Sequence, residues 1–391
     1  MRRDWTFRPL GELVNFASGG TPSKHKAEYW IGDIPWISAK SLKNERIKTS
    51  DLFISEDGLN AGSKLAPCGS ILLLTRGSGL FNGIPVGLVE KEVAFNQDIK
   101  CLNSCSEVEN KFIFYWLLSQ RNYLMAKVGV TGIGAGKFDL DFLQKLDVPV
   151  PSVQVRSRII AIGDTLSDKI ELNQKINDNL QQQAFTLFDR FLSVEHSSKC
   201  PLSQIAIINP KRILKKGKYA RYIDMAQLST SGSFPNGWEI KPYNGGMRFS
   251  NGDTLLARIT PCLENGKTAY IDFLGENEVA FGSTEYVVIS SRGEYPPEFF
   301  YCLARCPSFV DYAVKNMNGS SGRQRVSAEA IGNYVLPMLT DDELSEFRST
   351  VPCLFRAMRN NSIENTSLAQ LRDALLPKLM SGEIDVSDIR F

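Results

Sequence analysis

The stretch "VTGIGAGKFDL", Val130 to Leu140, sets glycines and a lysine where a phosphate could be cradled. A nucleotide loop of that kind needs Gly, four residues, then Gly-Lys-Ser/Thr. Backbone N–H groups, an ammonium and a Mg²⁺-ligating hydroxyl then converge on one phosphate chain. Here Thr131 stands where the first Gly belongs, and Phe138 after Lys137 offers no hydroxyl. "EYPPEFF", Glu294 to Phe300, is the one Pro-Pro candidate for an adenine-methyltransferase motif, which needs Asn, Asp or Ser before the prolines and an aromatic after them. Tyr295 precedes and Glu298 follows, so both flanks are wrong. "GIGAG", Gly132 to Gly136, has neither the spacing nor the context of a dinucleotide loop, and no G-x-S-x-G elbow occurs. His25 and His196 fall in different halves, and none of the eight cysteines forms C-x-x-C. Cys101/Cys105 and Cys302/Cys306, each four apart, read as helix-face or loop packing. Several independent absences shift weight from an enzyme toward a binding protein, with its thiols reduced in the cytoplasm.

The composition permits nucleic acid as the ligand without requiring it. Of 391 residues, 43% are hydrophobic and 23% charged, as in ordinary globular proteins, and Lys plus Arg exceed Asp plus Glu by 45 to 43. A near-neutral total still allows basic residues to gather on one face. The opening "MRRDWTFRPL" lacks a signal-peptide pattern. Apolar runs such as "ILLLT", Ile71 to Thr75, are strand-length and cannot span a bilayer.

What positions the glycine loop becomes clear from its recurrence. "GAGKFDLDFLQKLDVPVP" (Gly134 to Pro151) parallels "GRQRVSAEAIGNYVLPML" (Gly322 to Leu339), with Lys137 facing Arg325. From there to the end the halves run at a constant offset of 188 residues. Earlier segments repeat too: "PLGELVNF" with "PLSQIAII", "WISAKSL" with "YIDMAQL", "GSILLLTRG" with "GDTLLARIT", and "EVAFNQD" with "EVAFGST". Such a duplication sets the architecture before any other signal. Each half begins with short β-branched runs between Gly, Pro and Asn turn signals, so a mixed strand-rich globule is expected.

A long helix should follow each globule. Between Val155 and Leu192 there is no proline, and Ile159, Ile162, Leu166, Ile170, Asn173, Asn177, Leu180, Ala184, Leu187 and Phe191 form one stripe. The copy reads Leu354, Met358, Asn361, Asn365, Leu368, Arg372, Leu375 and Leu379, and Pro352 is expected to break or start that second helix. Roughly 38 residues at 1.5 Å reach at most about 57 Å. Pairing the two stripes hides both, with Asn173, Asn177, Asn361 and Asn365 setting register at some cost in stability. Phe185, Phe188, Leu371 and Leu376 fall beside the stripe and are expected to leave apolar surface for a partner.

Two similar globules on paired helices suit a long ligand with two sites, such as duplex DNA. "PLGELVNFASGGTPSKHKAEYWIGDIPWISAKSLKN" (Pro9 to Asn44) resembles the opening of a target recognition domain from the specificity subunits of type I restriction-modification systems. "LPKLMSGEID" (Leu376 to Asp385) resembles the end of their distal helix, and the repeat order matches along essentially the whole chain. The resemblance implies an α+β protein with two similar mixed α/β target recognition domains separated by two long antiparallel paired helices, an internal tandem repeat with pseudo-twofold symmetry. It places recognition domains at 1–151 and 196–340 and spacer helices at 152–195 and 341–391. It further implies a non-catalytic subunit that reads a bipartite, asymmetric target, sets spacer length and docks methyltransferase subunits, typically two. Restriction subunits join that core, and S-adenosylmethionine, ATP and Mg²⁺ belong to the partners. The rivals are a stand-alone two-headed DNA-binding regulator, and a nuclease or methyltransferase with an unrecognised site.

Lys and Arg at phosphates supply most affinity for DNA, whereas Arg to guanine and Asn or Gln to adenine supply specificity. In the first half the candidates are Thr21, Ser23 and Lys24 after a Gly-Gly turn, Lys40, Ser41 and Lys43 after a strand, then Arg76 and Lys137. In the second half they are Lys211, Arg212, Lys215, Lys216, Lys218 and Arg221, a basic run without an acid, then Arg258, Arg323, Gln324 and Arg325. Gln324, between two arginines, is the base-reading candidate. Trp36 and Tyr222 occupy matched positions where a core role outweighs stacking on a base.

Overall fold

In the computed structural model, which describes residues 5–132, 134–320 and 322–386, the short apolar runs become strands of two compact units. Residues 1–4 and 387–391, at the outer edges of the expected 1–151 and 341–391 segments, lie outside the described residues. So do Ile133 of the glycine loop and Ser321. One unit runs to Ile170 and resumes at Thr366; the other is Glu171–Asn365. Each holds a portion of both long helices, and no helix among the described residues is long and apolar enough to cross a membrane.

In the first unit a five-stranded sheet orders Val14–Ser18, Ile99–Ser104, Ile71–Leu74, Val86–Val89 and Arg46–Ile47. A four-stranded sheet orders Phe53–Ile54, Ile34–Ile37, Val93–Phe95 and Lys64–Ala66. Strand Ile71–Leu74 is buried throughout, which is why it reads as an unbroken apolar run and not an alternating one. Helix Asn110–Ser119 is buried from Phe112 to Leu118 and joins the same core. Each such large apolar side chain contributes roughly 1.5–3 kcal/mol on burial.

The second unit repeats this plan. One sheet orders Ala206–Ile208, Tyr286–Ser291, Thr254–Ala257 and Thr268–Tyr270; the other orders Glu239–Pro242, Tyr219–Ile223, Ala280–Gly282 and Met247–Phe249. In both units a parallel pair forms the middle of the second sheet, Trp36 opposite Ala94 and Tyr222 opposite Phe281. That pairing corrects the match of the two "EVAF" runs by one residue: Ala94, not Phe95, corresponds to Phe281. A one-residue slip turns every side chain to the other face. Phe95 therefore fills the first core, while Gly282 takes its place in the second and the Tyr286 ring occupies the space, 2.5 Å from where a Cβ would stand.

The same register displaces the arginines. Leu74 pairs with Ile99 and Ala257 with Tyr286, so Arg258 corresponds to Thr75 and Arg76 to Ile259. The two arginines are not equivalent, although both follow a buried strand.

The first long helix is Val153–Ser193 and the second Asp341–Met380. The second starts at a reciprocal cap: the Thr340 hydroxyl accepts the Glu343 N–H at 3.3 Å, and the Glu343 carboxylate accepts the Thr340 N–H at 2.8 Å. Pro352 neither starts nor breaks this helix, contrary to expectation. Buried Val351 and Phe355 on either side pin the backbone across the missing N–H. Within the second unit the helices run antiparallel. Asn173 donates to Asn365 at 2.9 Å and to Glu364 at 2.7 Å, Asn361 donates to Asn177 at 2.9 Å, and Arg190 pairs with Glu346 at 2.6 Å.

Two expected docking residues are instead core. Phe188 and Leu376 are each 1% exposed, and Phe185 is half-buried with its ring on Tyr301. The helix widens its apolar face to pack on the sheets, so residues beside the stripe are consumed there. Leu371 remains 48% exposed, as do Leu172, Ile176 and Ile363 at 52%, 40% and 50%.

Candidate nucleic-acid interface

In the first unit the chain between strands Val14–Ser18 and Ile34–Ile37 folds over the sheet edge. Two glycines permit this: a Cβ on Gly19 would stand 2.0 Å from the Phe95 carbonyl oxygen, and the Gly20 N–H donates to that oxygen at 2.9 Å. The Trp36 indole donates to the Gly20 carbonyl at 3.1 Å, and the Trp30 indole to that of Ser23 at 3.2 Å. The two indoles meet edge to face with centroids 5.0 Å apart. Trp36, 3% exposed, has the core role expected of it.

An open groove of about 860 Å³ results, lined by Thr21, Lys24, Trp30, Ile31, Lys40, Asn96, Gln97 and Asp98 among others. Thr21, Lys24 and Lys40 are thus brought together. The Thr21 hydroxyl donates to Gln97 Oε1 at 2.6 Å, which orients the Gln97 amide, and the Asn96 amide donates to Asp98 at 3.2 Å. Oriented amides in a groove with cations at its rim are the chemistry that reads base edges. Gln97, Asn96 and Asp98 escaped the sequence reading, yet a signal was present. In the corrected register "NQD", Asn96 to Asp98, stands opposite "STE", Ser283 to Glu285, so the two units differ at all three positions, and such divergence is expected where different bases are read.

Ser23 and Lys43 are exposed, while the Ser41 hydroxyl closes a turn by accepting the Ser38 N–H at 2.8 Å. Arg76 and Lys137 sit opposite one another on adjacent strands, both exposed. The glycine loop before Lys137 closes on Thr131, whose N–H donates to Ala135 at 2.8 Å and whose hydroxyl accepts the Ala135 N–H at 3.1 Å. With the Thr131, Gly134 and Ala135 N–H groups turned inward, the described residues of the loop form a turn that presents Lys137.

The second unit separates its cations into two kinds. Arg212 is clamped by buried Asp253 at 2.9 and 2.5 Å. Arg221 bonds Glu278 at 2.9 Å and lies over the Trp238 ring, 5.2 Å from its centroid. Arg325 grips Glu285 through Nε and Nη2 at 2.8–3.0 Å, and Arg258 approaches the same carboxylate at 3.7 Å. The Arg325 guanidinium holds the Glu285 carboxyl below its ordinary value. All four arginines are thus paired with acids of their own unit, which distinguishes them from the exposed lysines. The carboxylates lie between 27 and 57 residues away in sequence from the arginines they pair with. Lys211, Lys215, Lys216, Lys218 and Arg323 stand exposed; Gln324 is half-buried and its carbonyl accepts the Thr260 N–H at 3.0 Å. Tyr222 is half-buried, its ring tilted against Phe281 with centroids 5.1 Å apart.

Two units of one α+β plan, each with a divergent polar or basic face and a share of two long helices, define a duplicated recognition architecture. Residues 2–182 match the family described as the type I restriction modification DNA specificity domain. Over 182 residues the chain is 32% identical to the EcoR124I/EcoR124II specificity subunit of Escherichia coli, covering 43% of this chain and 45% of that protein, under half its length. Against the MjaIX specificity subunit of Methanocaldococcus jannaschii, identity is 24% over 428 residues, covering 99% of this chain and 95% of that protein. The solved S subunit of a type I restriction-modification system from M. genitalium shares 19% identity over 96% of both chains, with a TM-score of 0.48. Residues 2–182 are thus similar to the type I DNA specificity domain, and nearly the whole chain is similar to a type I restriction enzyme specificity subunit.

Proposed function

We propose that this chain is the DNA sequence-specificity subunit of a type I restriction-modification complex and is not itself catalytic. Segments 1–151 and 196–340 each bind one half of a bipartite, asymmetric duplex target. The helices in 152–195 and 341–391 set the spacer and dock methyltransferase subunits, two of them. Restriction and translocase subunits join that assembly in the cytoplasm, and S-adenosylmethionine, ATP and Mg²⁺ bind to the partners. The observation that carries this reading is the contrast between the two faces: oriented amides and aromatics in the first unit, exposed lysines in the second. One scaffold with two recognition chemistries is what an asymmetric target requires. Leu172, Ile176 and Ile363 replace Phe188 and Leu376 as candidates for methyltransferase docking, because exposed apolar side chains on a paired helix mark a partner surface.

The test is co-expression with the accompanying methyltransferase subunit and mapping of methylated adenines across a genome. A single bipartite motif, lost on deletion of this gene, supports the reading. A stable complex with no such motif overturns it in favour of a stand-alone regulator. Turnover of labelled S-adenosylmethionine by the isolated chain overturns the non-catalytic role.

A further inference from the structure

Ile213 and Ile31 are the two most exposed large apolar side chains among the described residues, at 87% and 75%. They arise from the same connection in the two units. Ile31 lies between strands Val14–Ser18 and Ile34–Ile37, and Ile213 between the corresponding strands Ala206–Ile208 and Tyr219–Ile223. Neither is a mobile loop tip that happens to carry an isoleucine. On one side of Ile213, Arg212 is clamped by Asp253; on the other, Leu214 is buried against Ala220 and Phe281. On one side of Ile31, Trp30 is held by its indole bond to Ser23 and its contact with Trp36. On the other, Gly32 presses so closely on strand Phe53–Ile54 that a Cβ would stand 2.4 Å from the Ile54 carbonyl oxygen. In both units the neighbours are anchored and the isoleucine has nowhere to point but outward.

The surroundings are cationic. Lys211, Lys215 and Lys216 lie within three residues of Ile213 and are exposed, and Lys24 and Lys40, with Asp98, line the groove that Ile31 borders. A rigid, β-branched side chain loses little entropy on insertion. An exposed apolar point with lysines close by matches a duplex, whose phosphates attract the lysines and whose base steps accept apolar wedges. We propose that Ile31 and Ile213 are paired wedges, each inserting at a base step within its half of the target and bending the DNA there. This rests on the DNA-reading function proposed above and adds a mechanical step to it: specificity from the deformability of the step, at positions read by no hydrogen bond.

The experiment uses the full chain with its methyltransferase partner and a duplex carrying the motif found by methylation mapping. The duplex bears a donor–acceptor pair at its ends to read bending and 2-aminopurine in each half to read unstacking. Wild type is expected to bend the duplex and brighten 2-aminopurine in both halves. Ile31→Ala should abolish the signal in one half and Ile213→Ala in the other. Affinity should fall about tenfold with an unchanged slope against salt, because no phosphate contact is lost. Both positions are exposed, so the variants should fold as wild type does. Bending and brightening that persist in both variants overturn the wedges while leaving DNA reading intact. So does a wild type that binds without bending, or a loss of methyltransferase assembly with bending preserved. Failure of wild type to bind the mapped duplex overturns the DNA reading itself, and the wedges with it.

Discussion

The two units hold their share of the long helices by different chemistry. In the first, buried Arg156 bonds Glu109 at 2.7 Å and the carbonyls of Pro151 and Glu107 at 2.9 and 3.0 Å. Arg372 reaches Glu45, which Arg121 also holds at 2.6 Å, and Arg46 spans to Asp168 at 2.5 Å. In the second, the junction is mainly aromatic, with one ion pair, Arg359 on Asp272 at 2.7 Å: Phe188 lies on Phe299 at 5.1 Å, Phe191 on Phe347 at 6.4 Å, and Phe355 against Tyr270 and Tyr301 at 5.2 and 5.5 Å. The repeat states the contrast in one position, since Ala184 is fully buried among those rings where its counterpart Arg372 is 5% exposed beside Glu45. Directional ion pairs fix an angle, whereas aromatic packing supplies area. One fold therefore tolerates either, provided each buried charge finds its partner.

The strongest way to break this comparison is to empty the aromatic junction. Phe188→Ala should cost about 3–5 kcal/mol, through lost burial plus a cavity. Amide exchange should show the loss concentrated in Glu171–Asn365; an even loss across both units would mean the junctions are not separate. Arg372→Ala should cost less, about 2 kcal/mol, because Glu45 keeps Arg121 and is partly exposed. Its effect should fall on the first unit, and Arg372→Lys should recover only part of it, lacking the bidentate fork.

Acid sharpens the contrast by sign. Burial works against the Glu45 carboxylate, but Arg372 and Arg121 outweigh it and hold its pKa below the ordinary value. Its stability is present above the unfolded pKa and is lost as pH falls through the folded one. In the second unit burial pushes the Asp272 carboxyl up to about 6 against the pull of Arg359, and burial raises Glu298 as well. The Asp272 contribution is present below the unfolded pKa and is lost as pH rises through about 6, and that of Glu298 has the same sign. From about pH 7 down to pH 4, exchange protection corrected for intrinsic rates should fall around Glu45 and rise around Asp272. Asp272→Asn should flatten the second trend, and parallel trends in both units would count against these assignments.

The smallest effects test the division of cations. Lys215→Ala should reduce the salt slope of DNA binding by about one with specificity unchanged. Arg212→Ala should leave that slope intact and lower the melting temperature instead, since its loss strands Asp253 in the core. Gln97→Ala should relax the target at one position by about 1–3 kcal/mol without touching the slope. If Arg212→Ala lowered the slope as Lys215→Ala does, its clamp would be an intramolecular placeholder for phosphate.

Much of this is legible in the sequence alone. The 188-residue offset and the spacing of Asn173, Asn177, Asn361 and Asn365 follow from a period, and a helix turns a period in sequence into a line in space. Duplication, long helices and the polar steps within their stripe were therefore determined by the sequence. What tertiary structure alone decided is of another kind. Nothing local to Arg212, Arg258 or Arg325 announces that Asp253 and Glu285 lie within reach. Nothing in two identical "EVAF" runs announces a slip of one residue, compensated when Phe95 and Ile99 are exchanged for Gly282 and Tyr286. Strand register and the pairing of distant charges are settled by which neighbours fill the remaining space, and that information belongs to the packed core as a whole.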